Sequence, residues 1–189
     1  MLLLSPTMLA QQSTSITALN ELGPENSAMA QRAGLWDVIE TICSSPTSTP
    51  TKQNLVVERR MVGSFLEEVL ESAPNSAPAD IKRIDYLSFN RIEGRWKYVS
   101  MDTRAPVGLM PAASDDRGEN GSIHLTFEPF AIPTASTNIT GQLVLMQELI
   151  VQDSPDHDRK DQYFNVADGS GKSKSWLGHR YEYVRRHAQ

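Results

Sequence analysis

The residues best able to do chemistry cluster near the end of the chain. His179 alternates with Tyr181, Tyr183 and Arg185, and in a β-strand that spacing puts all four on one face. An imidazole titrates near neutrality, so it can serve as a general base. It can also ligate haem, or act as a hydrogen-bonded interior histidine. A second constellation is Tyr98, Asp102 and Arg104, just before Pro106. At the mouth of a barrel, such a trio can orient the polar head of a ligand whose body lies against apolar walls. It can equally form an ion pair at a strand end.

Several familiar chemistries are excluded. The histidines are His124, His157, His179 and His187, and none forms a His-x-x-x-His or His-Glu-x-x-His pair, so no local zinc site is signalled. Cys43 is the single cysteine, which rules out an intrachain disulfide and a Cys-rich metal site. It reads as a free thiol at the end of an apolar strand. No Gly-x-Ser-x-Gly elbow is present. Gly169-Ser170-Gly171-Lys172-Ser173 resembles the end of a phosphate-binding loop, but the position of its first glycine is Val166 and a strand follows instead of a helix. Asp153, Asp156, His157, Asp158 and Asp161 form an acidic stretch without EF-hand spacing, read as a solvated hairpin tip. The net charge is −5 and no basic cluster interrupts it, so nucleic acid is not an expected partner. Arg59-Arg60 and Arg185-Arg186 are doublets inside strand-like segments, read as charges on solvated strand faces. No stretch is apolar enough to span a membrane as a helix. Residues Met1–Gln11 read as a signal-peptide remnant, a misplaced start or a frayed terminus. Exported and cytoplasmic locations therefore both stay open.

The elements that position these residues are mostly strands. Ile16, Leu19 and Leu22 fall on one helical face, Gly23-Pro24 breaks that run, and a second short helix is expected over Pro24–Arg32 with Met29 facing inward. Nine strands follow: Leu35–Cys43, Gln53–Val62, Phe65–Ser72, Ile81–Ile92, Arg95–Asp102, Ser122–Ala131, Gln142–Gln152, Asp161–Ala167 and Lys174–Arg186. Loops are expected at Ser44–Thr51, Ala73–Ala79, Ala112–Asn120, Ser154–Lys160 and Asp168–Ser173. Hairpin-linked strands at this spacing predict a mostly β, single antiparallel up-and-down barrel of nine to ten strands. Residues 34–187 form the barrel, and residues 1–33 form an N-terminal segment with short capping helices. Neither face of Arg95–Asp102 is cleanly apolar: Trp96, Tyr98, Ser100 and Asp102 share one, and Arg95, Lys97, Val99 and Met101 the other. In the last strand Leu177 is expected to share the face of His179, and Trp176 the opposite one. Mixed faces of this kind fit a polar-dotted cavity better than a dry core.

Gly34-Leu35-Trp36 resembles the Gly-x-Trp opening of lipocalins and the wider calycin barrels. The stretches Asp85–Asn90, Gly94–Asp102 and Tyr181–Arg185 are similar to an uncharacterised bacterial lipocalin-like family, domain-of-unknown-function family 1579. Met101 departs from it, standing where the resemblance would place an aromatic. The resemblance implies that Trp36 packs near the closed end and that Arg185 or Arg186 lies across it, a cation–π arrangement. The ligand-binding residues expected on this reading are Trp36, Trp96, Tyr98, His179, Tyr181, Tyr183 and Arg185. The first expectation is a binding module for a small apolar or amphipathic molecule, without catalytic residues, metal or cofactor. The alternatives are a haem-binding or catalytic barrel using His179, and a structural barrel with a filled core.

Overall fold

The computed structural model describes residues 22–73, 80–119, 121–132, 142–167 and 173–187. Helix α1 (Pro24–Gln31) opens with proline in its first turn and buries Asn26 and Met29, as the Gly-Pro break predicts. The strands are β1 (Gly34–Ile42), β2 (Thr51–Val62), β3 (Phe65–Ser72), β4 (Ile81–Asn90), β5 (Arg95–Asp102), β6 (Leu109–Ala113), β7 (Ser122–Phe127), β8 (Phe130–Ile132), β9 (Gln142–Ser154), β10 (His157–Ala167) and β11 (Ser173–Arg185). Each pairs antiparallel with its neighbour in sequence, except that β7 passes to β9, and β11 returns to β1. The result is a closed ten-strand barrel. β8 is the continuation of a broken stave: β7 pairs with Gln147–Val151 of β9, and β8 with Gln142–Val144.

Four expectations are corrected. Ala112 and Ala113 belong to β6, not to a loop, because they pair with Tyr98 and Lys97. The expected loop Ser154–Lys160 is mostly strand: only a tight turn at Pro155-Asp156 separates β9 from β10, and Asp158 and Lys160 point into the barrel. The expected strand Ser122–Ala131 is interrupted at Glu128-Pro129, since proline cannot donate to the ladder. Trp176 is not opposite in facing to His179. The register slips between Gln162–His179 and Tyr163–Leu177, leaving Gly178 unpaired. This bulge moves Trp176 onto the face of Phe164. Gly178 is required there, because a Cβ would lie 2.5 Å from the Phe164 ring. Ile16 and Leu19 of the expected first helical face, and the loop glycines Gly169 and Gly171, fall outside the described residues; Leu22 is exposed and not helical.

Side chains alternate in and out along β4 and β5. β4 buries Arg83, Asp85, Leu87 and Phe89, and β5 buries Trp96, Tyr98 and Ser100. Two apolar walls result: Leu66, Phe89, Trp96, Met110, Phe127 and Ile150 belong to one, and Trp36, Val38, Leu55, Val57, Leu70, Tyr181 and Tyr183 form the other.

Candidate functional site

The barrel interior has two ends of different character. The end under α1 is plugged by charge. Arg59 donates to Glu68 at 2.7 Å and to Asp158, while Arg32 reaches Asp158 at 2.7 Å from the helix side. Lys160 lies 2.8 Å from Glu68 and 3.0 Å from Asp85, and Tyr183 donates to Glu68 at 3.0 Å. Arg59 is not a solvated strand-face charge as expected: it points inward and is buried, its guanidinium sandwiched between the Trp36 and Tyr183 rings at 4.6 and 4.4 Å. Burial alone would raise the Glu68 carboxyl, but Lys160, Arg59 and Arg83 hold it well below the usual range. Burial would likewise lower Lys160, yet Asp85 and Glu68 hold it above its ordinary value. The space left among Arg32, Glu68, Asp85, Tyr98 and Lys160 is about 10 Å³, room for one water.

The opposite end is open. A cavity of about 210 Å³ lies there, with Val107, Met110, Phe130, Ile132, Met146 and Phe164 as apolar walls. Arg83, Ser100, Asp102, Gln162 and His179 supply its polar groups. His179 accepts an edge contact from Phe164 and stacks on Tyr181. Its Nδ1 lies 2.7 Å from Glu40, which also takes Arg104 at 2.7 Å and Gln53. Arg104 in turn clasps Asp102 at 2.7 and 3.0 Å. Burial would raise Glu40, but the His179 bond and the Arg104 charge keep it below the usual carboxylate range. The Asp102–Arg104 pair expected at a strand end therefore does sit at the barrel mouth, tied to β1 and β11 through Glu40.

The seven residues nominated from sequence are divided by this geometry. His179 lines the mouth cavity. Trp36 is fully buried and donates its indole N–H to the Arg32 carbonyl. Arg185 does lie across it, at 4.3 Å, and donates to the Ala33 and Gln31 carbonyls at 2.7 and 2.5 Å. Gly34 makes that approach possible: its φ is +131°, and a Cβ would stand 3.1 Å from the Arg185 guanidinium. Arg186 instead pairs with Asp37 on the outer surface. Trp96 bonds the Arg117 carbonyl beside α1. Tyr98 and Tyr183 face the charged plug through Lys160 and Glu68. Tyr181 bridges the two ends, packed under Arg83 at 4.3 Å and within 3.4 Å of Arg104. Sequence reading missed Arg83, Ser100, Gln162 and the apolar set of Met110, Phe130, Met146 and Phe164. The strand alternation already put Ser100 on the face of Tyr98, but nothing local marked it as unpaired.

No family model matches the chain, and no curated protein does. Its barrel has a counterpart among solved structures. The crystal structure of Rv2717c from M. tuberculosis is similar, with a TM-score of 0.56 at 16% identity, over 88% of this chain and 100% of that one. At that identity the likeness establishes the fold alone.

Proposed function

We propose that the protein binds a small amphipathic molecule in the open end of the barrel. The observation that carries this is the contrast in filling. The gap within the charged plug is about 10 Å³, and the mouth cavity is about 210 Å³ walled by Met110, Phe130, Met146 and Phe164. Apolar walls with a few convergent polar groups are the usual make-up of a ligand pocket. The volume lies under the roughly 300 Å³ at which drug-sized pockets begin, so the ligand is small. The kinship to domain-of-unknown-function family 1579 belongs to this proposal too. The Gly34-Leu35-Trp36 opening with Arg185 across the indole supports it.

Ligand-observed NMR tests the reading, with hexanoate and 1-hexanol as probes of wild type and Met146→Trp. Saturation transfer to at least one probe, lost when the bulkier indole fills the mouth, is the expected result. No transfer to either, or the same transfer in the variant, would overturn it.

A second reading uses His179 for haem. In its favour, Glu40 holds Nδ1 at 2.7 Å, and this kind of carboxylate support orients imidazoles that ligate metals through the other nitrogen. Against it, about 210 Å³ is too little for a porphyrin, so the residues around Phe130 and Ile132 would have to give way. Hemin titration decides. A Soret band that His179→Ala abolishes supports this reading, and an unchanged spectrum disposes of it.

A further inference from the structure

Two of the polar groups in the mouth are buried without a partner. Arg83 and Ser100 are each only 1% exposed, and Nη1 of Arg83 and Oγ of Ser100 have no hydrogen-bond partner among the described residues. They lie on adjacent strands, on the same inward face: Arg83 is opposite Asp102, two residues on from Ser100. Both line the mouth cavity. Burying such a group unpaired costs about 1–3 kcal/mol. The plug carries orphaned atoms too, at Arg59 Nη2, Asp85 Oδ1 and Asp158 Oδ1, but Arg83 Nη1 and Ser100 Oγ are two donors that share one apolar-walled cavity. Both can donate, and neither is needed by the plug. Arg83 reaches the plug with its other nitrogens: Nε forms an ion pair with Asp85 at 2.9 Å without hydrogen-bond geometry, and Nη2 donates to Glu68 at 3.4 Å.

We infer that the mouth selects small apolar carboxylates, whose oxygens accept from Arg83 Nη1 and Ser100 Oγ while the hydrocarbon body lies among Met110, Phe130, Met146 and Phe164. The inference rests on reading the mouth as a ligand site and names the class of ligand. The cations of the interior are tied into the plug as well: Arg83 pairs with Asp85 and Glu68, Lys160 shares both, and Arg59 shares Glu68. Asp102 faces the mouth cavity and shares Arg104 with the buried Glu40. His179 faces it as well, with Nδ1 committed to Glu40.

Calorimetric titration with hexanoate and with its neutral twin 1-hexanol tests this on the whole chain. Hexanoate should bind at least tenfold tighter than 1-hexanol to wild type. Ser100→Ala should weaken hexanoate about tenfold, the loss of one hydrogen bond to a charged group, and leave 1-hexanol unchanged. Equal binding of the two probes overturns the inference while the mouth remains a ligand site. Binding of neither probe overturns both. The wild-type comparison stands even if a variant fails to fold. Ser100→Ala should fold, since its hydroxyl makes no bond to lose.

Discussion

The two ends of this barrel draw on the same kinds of residue but leave different space around them. At the plugged end, arginine, lysine and carboxylates meet one another: Arg59, Glu68, Lys160 and Asp158 are buried and mutually bonded. Arg59 Nη2 and Asp158 Oδ1 still lack a partner there, but the gap inside the network is only about 10 Å³. At the mouth, Arg83 Nη1 and Ser100 Oγ also lack a partner, and they border a cavity of about 210 Å³. An orphaned polar atom inside a filled network has room for no more than a water; the same atom beside an apolar-walled cavity can be met by a guest. Burial, charge and orphaned atoms alone do not separate structure from site; the space beside them does.

The plug depends most on Glu68, which holds Arg59, Arg83, Lys160 and Tyr183 together. Glu68→Gln removes the charge that three buried cations share, and should cost about 3–5 kcal/mol in chemical denaturation at neutral pH. Because the folded carboxyl is depressed, its contribution is present above the ordinary value of about 4.3 and is lost as pH falls below it. The gap between variant and wild type should therefore shrink in acid. A cost that does not change with pH would show that the network is held by packing and not by charge. Arg185→Ala comes next, at about 1–2 kcal/mol, from the lost stacking on Trp36 and the released carbonyls of Ala33 and Gln31. Glu148→Gln runs the other way. Its folded carboxyl is raised by burial, so what it contributes is intact below about 4.3 and fades as pH rises. The variant should match wild type near pH 4 and exceed it near pH 8, in chemical denaturation at the two pH values. Ser100→Ala sharpens the contrast from the other side, since deleting an unbonded hydroxyl should shift stability by no more than about 0.5 kcal/mol. A large loss there would mean that Ser100 has a structural partner.

Much of the barrel was legible because its signals are local. Gly63 adopts the positive φ expected of its hairpin turn, β3 runs over Phe65–Ser72 as read, and the faces of β5 alternate as the sequence says. What failed was local pattern overridden by long-range pairing. β6 reads as loop because Pro111 and two alanines carry little strand signal, and β5 recruits them. Gly178 looks like an ordinary strand glycine, but it is the bulge that turns Trp176 toward Phe164. The site was legible in part. His179 was nominated on the last strand, and Tyr98, Asp102 and Arg104 at a mouth; Asp102 and His179 line the mouth, Arg104 pairs with Asp102 there, and Tyr98 does not reach it. Tyr98 and Tyr183 were nominated as ligand residues, and the structure puts both against Lys160 and Glu68. Which tyrosine touches a charge and which arginine keeps a free nitrogen depends on partners tens of residues away, such as Lys160 for Glu68. No spacing rule reaches that far.

Methionine-methyl NMR tests most directly the claim that one end is closed and the other receives a guest. Met110 and Met146 stand at the mouth and Met29 at the plugged end. On titration with hexanoate, the methyl signals of Met110 and Met146 should shift with one common affinity while that of Met29 stays in place. Movement of Met29 with an unmoved mouth pair would contradict the division of the barrel drawn above.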